Sequence, residues 1–419
     1  MATVRPFRGL RFAEAAGPLE SCLAPPYDVV SPERQRRLLA ASPYNVLHVD
    51  LPPAREGEPP EAKYARAGET YRAWRARGIL RREAGAALYL IETDVGGAVR
   101  RGILAAVGLV PFDAGIVLPH ERTMAGPKAD RLAIMEATRA ALSPIFALYR
   151  DDDREVAAAI GPAFAGPPDV TVTDPDGVVH RMWVVDDRAI TDAVSRAFEN
   201  RRLYIADGHH RYETALAYRA AHPDLPAAGF VPMALTALDD PGLAVLPTHR
   251  VLRGVEPIPL AALAERVGPG IRATPVAGPL DRLLADLAEA GRLAPAVLVA
   301  GREAAGLAYL RLEWTDPGTR AAASPRERLD VTRLERDVLV AVFGASAESI
   351  ARQANLVYVK DAAEAVGLVE RGEAAHAFLL NGTPPAEVVA VAEAGETMPQ
   401  KSTYFAPKLP TGLVILPLD

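Results

Sequence analysis

The chain has 419 residues, 49% of them hydrophobic and 24% charged, with a formal net charge of −6. That length exceeds one ordinary core and the composition is globular, so two or three domains are expected and a disordered chain is excluded. No apolar run reaches the roughly 18 residues of a spanning helix, and the acidic balance argues against a large nucleic-acid footprint.

The start, MATVRPFRGLRFAEAAG, lacks the continuous apolar core of a signal peptide, so a cytoplasmic protein with no membrane partner is expected. The single Cys22 excludes an internal disulfide and a cysteine-based structural zinc site. Five lysines, Lys63, Lys128, Lys360, Lys401 and Lys408, stand among 47 basic residues. Codon drift in a GC-rich genome explains that bias; the sharper reading is that lysine survives where a compact ammonium is wanted.

In chain order, CLAPPYDVVSPERQRRLLAASP places a Pro-Pro turn ahead of Tyr27 and Asp28, then a helix with Ser31 as cap, Pro32 at its first position and Glu33 behind it. NVLHVDLP reads as a short strand and KYARAGETYRAWRARGIL as a helix. ALYLIETDV and RRGILAAVGLV, joined by Gly-Gly, read as a β-hairpin. PHERTMAGPKADRL runs from a loop into a helix, SPIFALYRD and HRMWVVDD are strands, and AITDAVSRAFEN is a helix. LYIADGHHRYETALAYR then joins a buried strand to a helix through an acid, a glycine, two histidines and an arginine. After about Glu256 short strands alternate with capped helices, and the chain closes on MPQKSTYFAPKLPTGLVILPL.

The turn in LYIADGHHRYETALAYR is the most chemically loaded stretch. Amides at a helix N-terminus are unpaired and carry partial positive charge, so they take phosphate or carboxylate readily. Gly208 lets backbone approach a ligand, Arg211 offers a bidentate donor, and His209 or His210 can contact phosphate or move a proton. Asp207 can cap the helix, orient a histidine or ligate a metal. Any one of these residues is explained by an ordinary capped helix; all five together are not.

The loop at His120, Glu121, Arg122, Lys128 and Arg131 can surround a phosphate chain with cations and still offer an acid. A charged surface loop is the plain alternative. Tyr27 and Asp28, fixed by two prolines, and Lys401 and Tyr404 in the tail are candidate substrate contacts. Asp-Asp-Pro-Gly at 239–242 reads as a turn.

The turn DGHHRYETA resembles the signature turn of the ParB/sulfiredoxin superfamily, in its form similar to the archaeal free serine kinases. The set PFRGLRF, APPYDVVSPE, PHERTM, PKADRL, SPIFALY, ADGHHRYETAL and MPQKSTYFAPKLPTGL, spread over nearly the whole chain, resembles the bacterial and archaeal family designated domain of unknown function 1015. The change of texture divides an expected α/β (α+β mixed) fold into residues 1–255 and a smaller α/β domain, 256–395, and the resemblance implies that the first is a ParB/sulfiredoxin-like catalytic region. A tail, 396–419, is expected to be able to return to the site. It implies phosphate contact by Gly208, His209, His210 and Arg211, with Asp207 near the reacting hydroxyl or a magnesium ion. Those kinases use an upstream glutamate as general base; Glu121 is the candidate from the chemistry of its loop and Asp28 the alternative.

The expectation is a kinase that moves phosphate from ATP or ADP, with Mg2+, to the hydroxyl of a free amino acid such as L-serine. A phosphohydrolase and a non-catalytic nucleotide-binding protein are the alternatives. Expected partners are a small-molecule substrate and a phosphate donor.

Overall fold

A computed structural model of the chain describes residues 1–123, 125–315, 324–346, 349–350 and 354–419. The fold is mixed α/β and divides into two units, 1–243 with 407–419, and 244–406.

In the first unit the local signals act as their residue types require. Ser31 accepts the amide of Arg34 at 3.2 Å and opens helix α1, Pro32–Ala41. The hairpin forms between Leu88–Val95 and Ala98–Gly108 in antiparallel register. Gly96 and Gly97 both take positive φ, 58° and 96°, as a tight hairpin turn demands.

The segment NVLHVDLP is not a strand. Its core, Leu47–Asp50, is the short helix α2. The reason lies in Asn45, which is fully buried. Its side chain accepts the amide of Leu47 at 3.1 Å and donates to the carbonyls of Ser21 and Leu23 at 2.8 and 2.9 Å. A capped turn tied to a distant segment outcompetes the extended form that the apolar alternation allows.

Helices α3 (Ala62–Ala76), α4 (Ala125–Thr138), α5 (Arg188–Phe198) and α6 (His209–Ala221) accompany a nine-stranded sheet. Its strands are β1 (Val4–Arg5), β2 (Leu88–Val95), β3 (Ala98–Gly108), β4 (Val117–Leu118), β5 (Ile145–Tyr149), β6 (Val170–Thr173), β7 (Val179–Val185), β8 (Leu203–Asp207) and β9 (Phe230–Ala237). They run in the order β4-β8-β5-β9-β3-β2-β7-β6, with β1 also on β3. Among the described residues, the parallel pairs of this sheet are β4/β8 and β5/β9. α4 packs on α3 and on α6. Gly68 permits the first approach, since a Cβ there would lie 2.3 Å from the carbonyl oxygen of Ala137.

The second unit is a six-stranded antiparallel sheet. Its strands are β10 (His249–Leu252), β11 (Ile271–Val276), β12 (Ala296–Glu303), β13 (Gly306–Trp314), β14 (Leu356–Val359) and β15 (His376–Leu380), in the order β11-β13-β12-β15-β10-β14. Helices Leu280–Leu293 and Ala362–Glu370 bury Leu283, Leu287, Ala365 and Val369 in its core. Asp361 caps the latter through the amide of Glu364 at 2.7 Å.

The unit begins at Ala244, ahead of the change of texture near Glu256. Ala244–Leu246 pairs with Tyr404–Ala406, and β10 lies inside the later sheet. The closing stretch is split for the same reason: residues up to Ala406 stay with the second unit and 407–419 join the first. Among the described residues no helix is long and apolar enough to cross a membrane.

Candidate functional site

β8 leads into α6 through Gly208. Along β8, Tyr204 faces Leu148 and Ile205 faces Ala147, but Asp207 rather than Ala206 faces Phe146. Ala206 is thus the extra residue of a β-bulge, a device that re-aims the side chain at a strand end. Gly208 follows in the left-handed region, φ 98° and ψ 27°, and caps α6 without any side-chain hydrogen bond. The cap residue therefore offers the first-turn amides of α6 no side-chain acceptor of its own, the arrangement that favours an anionic ligand.

A second constraint falls on Gly208. A Cβ there would lie 2.9 Å from Nε of Arg211 and 3.0 Å from its Cζ. The guanidinium folds back across the glycine to pair with Asp207 Oδ2 and to donate to the carbonyl of Pro144. Gly208→Ala is expected to weaken the fold by about 2 kcal/mol, from the strained φ and the displaced guanidinium. Urea unfolding checks it; an unchanged midpoint contradicts the account.

The other oxygen of Asp207, Oδ1, accepts from Lys408 Nζ at 2.5 Å, and the same ammonium donates to Asp28 Oδ2 at 3.0 Å. Two carboxylates from distant segments thus share one cation. Burial by itself would raise the Asp207 pKa, but Lys408 and Arg211 overcome it and hold the carboxyl far below the usual range. In turn Asp207 and Asp28 raise the Lys408 pKa against the opposing effect of burial.

The two basic segments meet. The His120 amide donates to His209 Nε2 at 3.2 Å, and the two imidazoles stand edge to face with centroids 4.6 Å apart. His120 Nδ1 donates to the carbonyl of Ile205 at 2.8 Å. Both rings are buried, and burial lowers both pKa values, that of His120 to about 4. His209 is therefore neutral at ordinary pH, with its proton on Nδ1 because Nε2 accepts.

Further along, Lys128 Nζ and Thr123 Oγ1 both donate to Glu213 Oε2, at 2.6 and 2.7 Å. Those contacts tie the start of α4 to α6. His210 and Glu121 are half-buried, and Arg122 is exposed.

Arg131 is 6% exposed. Its Nη1 donates to Asp50 Oδ1 at 3.0 Å, its Nη2 to Asp130 Oδ2 at 2.5 Å, and its Cζ lies 4.0 Å from the centre of the Tyr27 ring. Asp130 also accepts from Lys63 Nζ at 2.9 Å and the Tyr64 hydroxyl at 2.8 Å. Burial raises its pKa, but these donors prevail and bring it to about 2. Lys401 and Tyr404 lie in the second unit, where Lys360 Nζ stands 3.5 Å from the Tyr404 ring centre.

Of two further participants, one is only faintly marked in the local sequence and the other not at all. Lys408 carries only one signal, the scarcity of lysine in a chain otherwise rich in arginine. Asp50 sits in a segment that looks like a strand, and nothing nearby marks it as buried.

Solved structures that the chain matches include a conserved hypothetical protein from Pyrococcus furiosus, at 14% identity and a TM-score of 0.36 over 74% of this chain and 93% of that one. Free serine kinase in complex with AMP matches at 14% identity and a TM-score of 0.34, over 73% and 87%. SbnI from Staphylococcus aureus, with a C-terminal truncation, matches at 14% and 0.36, over 75% and 87%. No curated protein matches the chain. The model of the family described as protein of unknown function DUF1015 matches residues 4–332, and the chain belongs to that family.

Proposed function

We propose that this protein is a cytoplasmic small-molecule kinase that transfers a phosphoryl group from a nucleotide, ATP or ADP, to the hydroxyl of a free amino acid, with L-serine the first candidate. One observation carries the reading: an α-helix N-terminus without a side-chain cap lies beside an acid, Asp207, that shares Lys408 with a second acid, Asp28. Phosphoryl transfer asks for little covalent chemistry from a protein. It asks for cations and amides around the transferred group and a carboxylate near the attacking hydroxyl.

The roles divide by environment. The amides of His209, His210 and Arg211, with the backbone at Gly208, hold phosphate oxygens, and Arg211 and Lys408 stabilise charge as it develops. Lys128 and Arg122 are the outer cations of the same clamp. Asp207 is too firmly held as an anion to take up a proton; it orients Arg211 and Lys408. Asp28, whose carboxylate is about one-third exposed and touches Lys408, is the acid that receives the acceptor's proton. As that proton leaves, the acceptor oxygen bonds to the terminal phosphorus. The phosphorus–oxygen bond to the nucleotide breaks, its electron pair leaving with the nucleotide. The neutral His120–His209 pair is a support under the turn, and Glu121 and His210 are half-buried.

Magnesium fits only as a companion of the nucleotide phosphates. Among the described residues no group of three or more His, Cys, Asp or Glu side chains could hold a metal unaided. Asp207 and Asp28 offer the one or two carboxylates that phosphate-bound magnesium usually takes. Bound so, it would neutralise phosphate charge.

The test is incubation with ATP or ADP, magnesium and pooled amino acids, read by mass spectrometry for an added phosphate. Wild-type protein is expected to phosphorylate one hydroxyl amino acid, and Arg211→Ala to lower that turnover by about a hundredfold or more with the fold retained. Release of free phosphate without an acceptor marks a phosphohydrolase. Nucleotide binding with no turnover across the panel marks a binding protein. Either result removes the kinase reading.

A further inference from the structure

Behind the Asp207 turn lies a cavity of about 40 Å³, walled by α2, α4, α6 and the Ala140–Ser143 segment. A water needs roughly 10–15 Å³ of such space, so this one holds about three waters or one small molecule. Two of its wall groups are buried without a partner: Asp50 Oδ2 and Thr214 Oγ1, on residues 3% and 2% exposed. Asp50 is half satisfied. Its Oδ1 takes Arg131, while its Oδ2 faces no donor. A buried carboxylate oxygen left so is costly, and native structures rarely tolerate one without a ligand, an ion or ordered water to complete it.

The chemistry of the wall decides what kind of ligand completes it. A carboxylate oxygen only accepts, so the missing group is a donor. The guanidiniums on the wall already hold other groups, Arg131 with Asp50 and Asp130, and Arg211 with Asp207 and the carbonyl of Pro144. Their positive field nevertheless suits a carboxylate nearby. Ile134, Leu142 and Val231 give the wall an apolar side, and Tyr27 and Ser143 also line it. A small zwitterion answers all of these conditions.

We propose that this cavity receives the α-ammonium group of a small amino acid, with Asp50 Oδ2 and Thr214 Oγ1 as its acceptors. A ligand seated there keeps its far end next to Arg211, whose guanidinium also holds Asp207. That the far end is a hydroxyl awaiting phosphate rests on the kinase reading; the ammonium site itself does not. Asp50 and Thr214 are then specificity residues, selecting amino acids over hydroxy acids of the same length.

Calorimetric titration of the full-length protein, with and without ADP, tests this with L-serine, L-alanine and 3-hydroxypropionate, which is serine without its ammonium. Serine and alanine are expected to bind, and the deaminated analogue to bind at least about tenfold more weakly. Asp50→Asn is expected to abolish that preference, and Thr214→Val to weaken serine several-fold. Equal binding of serine and 3-hydroxypropionate overturns the assignment, as does an Asp50→Asn protein that keeps the preference. Should Asp50→Asn fail to fold, Thr214→Val decides, and unchanged serine affinity there also overturns it. If nucleotide binds and no amino acid does, the cavity is a water site and the proposal falls while nucleotide binding stands. Amino-acid binding without any phosphoryl transfer leaves the cavity assignment standing and removes the kinase instead.

Discussion

Replacing Lys408 with methionine is expected to lower phosphoryl transfer by about two to three orders of magnitude, the usual effect of removing one preorganised charge from a reaction centre. The same change should weaken the fold by about 2–3 kcal/mol, because Asp207, only 21% exposed, loses one of two cations and Asp28 is left facing it. Mass-spectrometric turnover and urea unfolding measure the two effects.

Acid unfolding supplies an independent check with a definite sign. Asp207 has a depressed folded pKa, so its contribution to stability is present above the ordinary aspartate value of about 4. It is lost as pH falls through that value towards the folded one. Removing Lys408 lets the folded pKa rise. The variant's deficit should therefore be full near pH 7 and shrink as the solution is acidified below about pH 4. A deficit that stays constant down to pH 3 contradicts the shared-ammonium account.

Arg131→Met is the second large effect, and it falls on stability. Arg131 and Asp50 are among the most deeply buried charges in the chain, with side chains 6% and 4% exposed. Breaking such a pair from one side strands the other charge, which costs about 3–5 kcal/mol. Burial already raises the Asp50 pKa in the intact protein, opposed by Arg131 and Arg211. Without Arg131 it rises further.

A raised carboxyl pKa contributes stability below the unfolded value and loses it as pH climbs through the folded one. The Arg131→Met deficit should accordingly be greatest at neutral pH and smaller near pH 4, where Asp50 is protonated. The double variant Asp50→Asn, Arg131→Met should recover most of the loss. Urea unfolding at both pH values measures this. A double variant no better than Arg131→Met removes the pair as the source of the effect.

These two residues also mark how far local sequence reaches. The turn from Asp207 to Arg211 is legible because a strand, a glycine that must adopt positive φ and a helix start are all short-range features, set by sterics and by backbone groups within one turn. The same holds for the Ser31 cap, the Gly96-Gly97 hairpin and the Asp361 cap. Arg131 illustrates the limit. Its place beside a helix start suggests a phosphate contact, yet its guanidinium already holds Asp50 and Asp130. Only the tertiary fold, which brings Asp50 to within 3.0 Å of that guanidinium, decides that.

His209 is similar: the sequence supplies an imidazole at the turn, and the fold settles its burial, its tautomer and its neutrality by laying the His120 amide on Nε2.

By itself the sequence determined the mixed α/β character, the helix and hairpin boundaries set by Gly, Pro, Ser and Asp, and the charged turn after β8, because all of these depend on residues a few positions apart. The tertiary structure alone decided that Lys408, 201 positions from Asp207, completes that turn, and that Asp50 is buried against Arg131 with one oxygen unsatisfied. Such contacts arise when distant segments desolvate one another. Burial then decides which charges must pair and which groups are left wanting a partner, and no local pattern encodes that.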